Sequence, residues 1–254
     1  MGILEVKNLT KHYGKNLILQ GINLNVDPSQ IFAFIGPNGA GKTTFLKAVL
    51  NLTSITTGEI LLNGISWRDY HARATVAYFP EKFSFFGYYT VYDTLLFYGR
   101  MAGRDKKDAL AQIPHALEKC SISELASRQL GVLSKGQWQR VGLACVLMSK
   151  ADLLILDEPF SGLDPIGMRD FRQILQDLKV EGKTIFLNSH LLSEVEKLAD
   201  YTAIINHGRI LAQGKLPELC GGKSLEDYCC DLIEADKTKA AMVASPESNT
   251  VSSN

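Results

Sequence analysis

The sequence predicts an α/β fold built around a mostly parallel sheet, and three observations lead to that prediction. A glycine-rich stretch at residues 36–44 lies between a short apolar run and a helical pattern, the order of a strand–loop–helix unit. Further apolar runs of strand length alternate with helical patterns toward the C-terminus. Such alternation is typical of parallel strands that helices cover on both faces. The 254 residues, 46% of them apolar, are enough for one large core.

The charge balance and the ends of the chain restrict the class of protein. Lysine plus arginine and aspartate plus glutamate both number 27, so the basic excess of a nucleic-acid binder is missing. No apolar run reaches the roughly 18–20 residues that span a bilayer, and the N-terminus lacks the pattern of a signal peptide. Five cysteines without metal-ligand spacing favour reduced core thiols. We therefore expect a cytosolic protein that binds no nucleic acid.

The N-terminal part of the chain contains the candidate strands that surround the glycine-rich stretch. These strands are predicted at 3–6, 18–26, 30–35, 58–64 and 76–81. The run before the stretch is continuously apolar, as in a buried strand, and the run at 18–26 alternates near its end, as in a half-exposed one. Residues 44–50 are expected to form the helix that follows the loop.

Helical periodicity replaces the strand pattern in the middle of the chain. It begins near Thr90, with helices predicted at 107–119 and 136–148, and the block is interpreted as an all-helical lobe inserted into the α/β core. Strand-like runs return at 152–156, 184–188 and 203–206. Residues 235–254 are rich in Ala, Ser, Thr and Asn without a large apolar face, and they are predicted to be a disordered tail.

The glycine-rich stretch fits G-x-x-x-x-G-K-[ST], the pattern of a phosphate-binding P-loop. Its residues are Gly36, Pro37, Asn38, Gly39, Ala40, Gly41, Lys42, Thr43 and Thr44. The glycines allow successive backbone N–H groups to point at an anionic phosphate. Lys42 is expected on the β- and γ-phosphates and the Thr43 hydroxyl on Mg²⁺. The alternative, a glycine-rich turn with a chance Lys-Thr, does not account for the strand before it and the helix after it.

Two carboxylates end the apolar run 153–156. We expect Asp157 to hold Mg²⁺ through water and Glu158 to polarise an attacking water. A hydrophobic strand that ends in Asp-Glu is common by itself. The P-loop upstream strengthens the functional interpretation, because nucleotide sites in such sheets lie at the carboxyl ends of strands.

The segment 133–137, Leu-Ser-Lys-Gly-Gln, has two interpretations. Ser134 can be the N-cap of the following helix, or Ser134, Gly136 and Gln137 can form a second anion site at the helix N-terminus. Taken with the P-loop and the two carboxylates, this segment resembles the signature of the ABC (ATP-binding cassette) transporter family. The chain is similar to the ATP-binding subunit of such a transporter from residue 3 to about residue 214.

The resemblance implies a domain organisation. Residues 1–234 would form the ATPase domain, with a RecA-like P-loop NTPase core from 1–84 and 150–234. An N-terminal antiparallel β subdomain would belong to that core, and an all-helical subdomain would be inserted at about 85–149. The disordered tail would follow from residue 235.

The resemblance also implies roles for single residues. Tyr13 corresponds to the aromatic residue that stacks on adenine, although a tyrosine beside a turn is by itself unremarkable. Asp164 belongs to the segment that crosses between protomers, His190 corresponds to the switch histidine, and Glu81 occupies the usual position of the glutamine that approaches Mg²⁺. The chain departs from the family pattern at Glu81, a carboxylate, and at Lys135, where the commonest signature has glycine.

The expected activity is ATP hydrolysis with ATP and Mg²⁺ bound. Glu158 would act as the base, Lys42 and Mg²⁺ would balance charge, and His190 would sense the γ-phosphate. The family implies a homodimer that closes head to tail around ATP and a separate membrane permease, with the chain peripheral on the cytoplasmic face of the membrane. The segment 223–228 resembles the terminal segment of exporter-type subunits and favours export.

Alternatives remain for the role of one aromatic segment and for the function of the chain. The aromatic run 83–89 is expected either to be the docking site of the permease or to be core packing between the lobes. A soluble cassette ATPase that acts on ribosomes or DNA remains the alternative function. Translation members of that class resemble two cassettes in one chain, and DNA-repair members carry zinc cysteines or coiled coils. This sequence shows one cassette and neither of the other two features. A small-molecule kinase would have no use for the signature segment.

Overall fold

The computed structural model describes residues 2–244, of which 239–244 are described by their backbone alone. The strands are β1 Leu4–Tyr13, β2 Asn16–Val26, β3 Ile31–Ile35, β4 Thr57–Leu62, β5 Ile65–Ser66, β6 Val76–Phe79, β7 Leu153–Asp157, β8 Thr184–Asn188, β9 Tyr201–Asn206 and β10 Arg209–Lys215. The α-helices are α1 Lys42–Val49, α2 Tyr70–Arg73, α3 Val91–Met101, α4 Lys106–Lys119, α5 Lys135–Leu147, α6 Pro165–Val180, α7 Leu192–Glu196, α8 Leu216–Cys220 and α9 Leu225–Ala244.

The strands form two sheets of different type. The smaller sheet, in the order β2-β1-β4-β5, is antiparallel throughout. The larger has the order β10-β9-β3-β8-β7-β6, in which β9, β3, β8, β7 and β6 are parallel and β10 returns antiparallel to β9. The predicted α/β class with a mostly parallel core sheet and an N-terminal antiparallel sheet is confirmed.

The central strands of the larger sheet are buried on both faces. Every residue of β3, β7 and β8 is buried, which explains why these strands have few polar residues before their ends. Register places Asp157 opposite Asn188, and Asn188 in turn opposite Phe34. Because parallel strands end at the same edge, the loop after β3 and the polar ends of β7 and β8 meet there.

Alternate side chains of these strands enter two separate core clusters. Phe32, Phe34 and Phe186 pack on the face shared with α1 and the antiparallel sheet, whereas Ile185 and Leu187 pack against the helical block. Phe45 of α1 stacks on Phe34 with ring centroids 4.5 Å apart and on Phe186 at 5.8 Å. Aromatic pairs of this kind contribute roughly 0.5–1.5 kcal/mol each beyond their buried area. These contacts hold α1, and with it the loop that precedes it, against the sheet.

The segment predicted to be helical contains α3, α4 and α5. Thr90 and Asp105 cap the first two of these helices by accepting from the N–H groups of Asp93 and Asp108. Within residues 2–244, no helix combines the length and the apolar composition that crossing a bilayer requires.

The cysteines follow the prediction with one exception. All five are free thiols, and Cys120, Cys145, Cys220 and Cys229 are buried. Cys230 is exposed, because it follows Cys229 on a helix and successive helical side chains point about 100° apart.

The prediction of a disordered tail from residue 235 is wrong for residues 235–244. Helix α9 continues through Ala244, and residues 245–254 lie outside the described part of the chain. Asp236 explains why the helix is held: its carboxylate accepts from Asn206 Nδ2 at 2.9 Å and pairs with Arg209 at 3.1 Å. Composition alone missed this contact because it is a tertiary one, made to β9 and to β10, a strand that the sequence reading also missed.

We expect Asp236→Ala to lower the free energy of unfolding by about 1–3 kcal/mol, because the substitution leaves the buried amide of Asn206 without its acceptor. Alanine is the better helix former, so helix propensity cannot produce a loss of this sign. Urea denaturation provides the measurement. Asp231→Ala is the control: Asp231 lies on the same helix and pairs with Lys223 in an exposed ion pair, so its removal should leave the midpoint nearly unchanged. Equal midpoints for the two variants would contradict the docking of α9 through Asp236.

Candidate functional site

The P-loop leaves β3 and enters α1 in a conformation that requires glycine. Gly39 and Gly41 have φ of 80° and 110°, in the left-handed region that side chains disfavour. Gly36 has ordinary φ, but a Cβ there would lie 2.1 Å from the Ile205 carbonyl oxygen. Glycine at these positions therefore lets the backbone turn tightly against β9 and presents N–H groups at the start of α1.

Lys42, the first residue of α1, is held by its own loop. Its ammonium donates to the carbonyl oxygens of Gly36 at 2.6 Å and Pro37 at 3.1 Å. Burial lowers the pKa of Lys42, and the carboxylates of Glu158 and Asp157 oppose that shift. The nearby carboxylates thus favour the charged ammonium that the predicted phosphate contact needs.

A cavity of about 260 Å³ brings part of the predicted site together. Its lining residues are Ile18, Asn38, Gly39, Gly41, Lys42, Thr43, Thr44, Glu81, Asp157, Glu158 and Asn188. The loop after β3, the carboxylates at the end of β7 and the end of β8 contribute to one space, as the carboxyl ends of adjacent parallel strands do.

Asp157 is held from both sides by residues that the sequence reading assigned no such role. Tyr78 donates its hydroxyl to Oδ2 at 3.3 Å, and Asn188 donates Nδ2 to Oδ1 at 2.7 Å. Burial raises the pKa of Asp157, and these two hydrogen bonds oppose the rise. Burial and the adjacent carboxylate also raise the pKa of Tyr78. The signal that could have found both residues is their position, polar side chains at or near the ends of strands that flank β7.

Glu158 has a backbone conformation that non-glycine residues rarely adopt. Its φ is 51°, and such strain is typical of functional positions. Its N–H donates to the Asn188 carbonyl oxygen at 2.8 Å. Its carboxylate oxygen Oε2 lies 2.7 Å from His190 Nδ1 and accepts the His190 N–H at 3.2 Å. The structure therefore places the predicted base and the predicted switch histidine in direct contact.

The signature residues lie outside the P-loop cavity. Ser134 is the N-cap of α5 and forms a capping box with Gln137, in which each side chain accepts from the other residue's backbone N–H. The interpretation of Ser134 as a helix N-cap is thus confirmed. The second interpretation, an anion site, stays a prediction, and its members Ser134 and Gly136 lie at the N-terminus of α5. Lys135 is the first helical residue and needs no left-handed backbone. Its side chain lies across Gly162, where a Cβ would be 1.6 Å from Lys135 Nζ.

Asp164 and Tyr13 also lie apart from that cavity. Asp164 is the N-cap of α6 and accepts the Gly167 N–H at 2.7 Å. Tyr13 is 47% exposed at the end of β1, with its hydroxyl 3.3 Å from Thr53 Oγ1 and the Lys11 ammonium 4.5 Å from its ring centroid. Lys11 thus approaches one face of the tyrosine ring, which makes an electrostatically favourable contact.

Glu81 connects the two regions. It is an exposed residue that lines the P-loop cavity and an adjoining cavity of about 410 Å³, which it shares with Leu133, Lys135 and Trp138. Its carboxylate acts on Asp157 from across the site and raises the pKa of that group. Of the sequence-predicted residues, Glu81 is the one that borders both the P-loop cavity and the signature helix.

The donor set in the cavity fits a magnesium ion. Thr43, Asp157 and Glu81 supply a hydroxyl and two carboxylates, the hard oxygen ligands that Mg²⁺ takes when it is held together with a nucleotide's phosphates. The buried amide oxygen of Asn188 at the same edge has no hydrogen-bond partner among the described residues, which leaves an acceptor available beside them.

Comparison with known proteins agrees with this geometry. The chain matches the model of the ABC transporter family over residues 19–161. It is 37% identical over 239 residues to the lantibiotic transport ATP-binding protein SrtF of Streptococcus pyogenes, across 93% of this chain and 100% of that protein. It is 35% identical over 234 residues to the Nod factor export ATP-binding protein I of Cupriavidus metallidurans, across 91% and 76% of the two.

A solved structure of the ATP-binding subunit of an ABC transporter has the same fold. The TM-score is 0.82 at 29% identity, with 91% of this chain and 99% of the other covered. The likeness therefore extends well beyond the P-loop. The chain belongs to the ABC transporter family and is an ATP-binding subunit, an ATPase with the P-loop cassette fold.

Proposed function

We propose that two copies of this chain close head to tail around two ATP molecules and drive a separate membrane permease. The observation that carries the proposal is the separation of two phosphate-type sites on one chain. The P-loop cavity contains the lysine and both carboxylates, but Ser134 and Gly136 lie outside its lining. A second copy that places its signature opposite this P-loop would complete the site, and ATP would then favour the closed state through its differential affinity.

The residues of one P-loop site have distinct roles in this proposal. Lys42 and the loop N–H groups bind the β- and γ-phosphates. Glu158 accepts the proton of the attacking water, and His190 orients that carboxylate through its ring and its backbone N–H. Thr43, Asp157 and Glu81 hold Mg²⁺, which when bound neutralises charge on the phosphates. Asp164 lies in the segment that crosses to the partner copy, and Tyr13 stacks on adenine with the ring face that Lys11 leaves free.

The aromatic run 83–89 supports a permease partner. Its inner rings pack in the core: Phe83 lies 5.0 Å from Phe79 and Phe85 lies 5.1 Å from Trp138, between ring centroids. Phe86 and Tyr89 are exposed and border a groove of about 240 Å³. The groove is lined by Ser84, Phe85, Phe86, Tyr89, Asp93, Thr94, Phe97 and Tyr98. An aromatic groove with one carboxylate suits the apolar face of a helix from the permease.

The names of two relatives support a proposal on the direction of transport. The relatives named above are described as acting in lantibiotic transport and in Nod factor export. We propose export for this chain, with the ATPase peripheral on the cytoplasmic face of the membrane and attached through the permease.

The first prediction from the proposed function concerns the dimer. Glu158→Gln removes the proposed base without changing side-chain size, so ATP should bind and trap a dimer. Adding Ser134→Asp should abolish that dimer. Aspartate caps a helix as well as serine does, but its carboxylate repels the γ-phosphate of the ATP bound to the P-loop of the partner copy. Light scattering with and without ATP is the measurement.

Ser127→Asp in the same Glu158→Gln background is the matched control, since Ser127 is an exposed serine of the helical block outside the signature. That variant should still dimerise. A monomer in Glu158→Gln with saturating ATP, or a dimer that survives Ser134→Asp, would contradict the head-to-tail arrangement.

The second prediction concerns the permease. Phe97→Ala should reduce binding to membranes from cells that express the transporter, because Phe97 is an exposed ring of the groove. Truncation of a central interface aromatic typically weakens binding by about 2 kcal/mol or more. Tyr70→Ala is the control: Tyr70 is similarly exposed but lies outside the groove. Equal sedimentation of both variants with the membranes would rule out this docking site.

The third prediction concerns Glu81. A carboxylate near a hard cation is favourable, whereas near bare phosphate it is repulsive. ATPase activity of the wild type should therefore depend more steeply on Mg²⁺ concentration than that of Glu81→Gln. Glu124→Gln, at an exposed glutamate outside the cavity, should follow the wild type. Superimposable Mg²⁺ titrations for wild type and Glu81→Gln would refute the role of the charge.

A further inference from the structure

Asn188 is a buried amide whose nitrogen and oxygen differ in their hydrogen bonding. It is 2% exposed at the end of β8, and its Nδ2 donates to Asp157 Oδ1 at 2.7 Å. The orientation of the amide is settled by chemistry, because an ionised carboxylate can only accept hydrogen bonds. Its Oδ1 is consequently left as a buried acceptor without a hydrogen-bond partner among the described residues. Buried polar atoms are nearly always paired, so this one calls for a ligand.

Tyr78 holds the same carboxylate from the opposite side. β6 and β8 are the two neighbours of β7 in the sheet. Each of them directs one donor at a different oxygen of Asp157, Tyr78 at Oδ2 and Asn188 at Oδ1. A carboxylate with a donor on each oxygen from two flanking strands cannot rotate freely, so its orientation is set by the sheet.

The segment 188–190 restrains the second carboxylate as well. The Asn188 carbonyl oxygen accepts the Glu158 N–H, and His190 contacts the Glu158 carboxylate through its ring and its backbone. The end of β8 therefore holds both acidic residues that follow one another at the end of β7. Asn188 is the residue of this segment that contacts Asp157 through its side chain and Glu158 through its backbone.

We propose that Asn188 is a positioning residue of the magnesium site: its amide nitrogen orients Asp157, and its amide oxygen accepts a hydrogen bond from a water on the metal. Tyr78 is the second positioning residue, on the other carboxylate oxygen. The inference rests on the Mg²⁺–ATP site of the proposed function. Mg²⁺ keeps several of its waters in proteins, and the partners that orient ligating groups influence affinity strongly.

The test is a titration of Mn²⁺, as a probe for Mg²⁺, into protein saturated with a non-hydrolysable ATP analogue. The electron paramagnetic resonance signal of free Mn²⁺ reports binding directly and does not depend on turnover. Asn188→Leu keeps the branched shape and the number of side-chain heavy atoms but has neither donor nor acceptor, and it should weaken Mn²⁺ binding about 10- to 100-fold. Tyr78→Phe should weaken it less, because its hydrogen bond is the longer of the two.

Nucleotide affinity measured in EDTA separates positioning from general damage. It should change by less than about threefold in both variants, since neither removes a phosphate contact. If Asn188→Leu fails to fold, Tyr78→Phe decides the question, because it deletes a single hydroxyl and leaves the ring in place.

Asn206→Leu is the matched control. Asn206 is likewise a buried asparagine at a strand end, 3% exposed, and its Nδ2 donates to the Asp236 carboxylate at 2.9 Å. The Asn206→Leu variant should be less stable than the wild type but should keep the wild-type affinity for Mn²⁺. Equal weakening in Asn206→Leu would overturn the inference, because the effect would then not depend on Asp157.

Two further outcomes separate this inference from the proposed function. If the wild type with bound analogue takes up no Mn²⁺, the metal site and the inference both fail. If the wild type binds Mn²⁺ and the Asn188 and Tyr78 variants bind it equally well, the metal site stands and the positioning role fails.

Discussion

The parallel register of β3, β8 and β7 is the constraint on which the whole site depends. It places the ends of the three strands at one edge, with Phe34 beside Asn188 and Asn188 beside Asp157. Burial on both faces maintains it, because a slip by one residue would move every side chain of a strand to the opposite core cluster. The P-loop reaches the carboxylates because β3 ends beside β8, and stacking of Phe45 on Phe34 keeps α1 at that position.

The two carboxylates at the end of β7 are restrained in different ways. Asp157 is held by side-chain donors from both flanking strands. Glu158 instead has a left-handed backbone, a conformation that costs on the order of 1–3 kcal/mol and that the hydrogen bonds to Asn188 and His190 offset. In the proposed function, Asp157 serves the metal and Glu158 the attacking water. Because the segment 188–190 contacts both, a change there is expected to affect metal binding and water activation together.

Ser134 of the signature segment has a structural role of its own beside the binding role proposed above. Ser134 caps α5 in a reciprocal box with Gln137, which explains its presence without any ligand. The same geometry leaves N–H groups at a helix N-terminus, where anions are favoured. The Lys135 side chain lies across Gly162 and connects this helix to the loop that leads to Asp164. The two segments that are proposed to face the partner copy therefore pack against each other within one chain.

The sequence by itself determined the features that a few adjacent residues specify. The P-loop, the carboxylate pair and the alternation of strands and helices are local patterns that the sequence itself contains, and a possible cap at Ser134 is one of the two interpretations that it allows. Only the tertiary structure decided that Tyr78 and Asn188 hold Asp157, that Tyr13 lies outside the P-loop cavity, and that residues 235–244 are helical. Tyr78 is 79 residues from Asp157, and Asn206 is 30 from Asp236. Contacts between polar groups so far apart depend on strand order and register, which local periodicity does not encode.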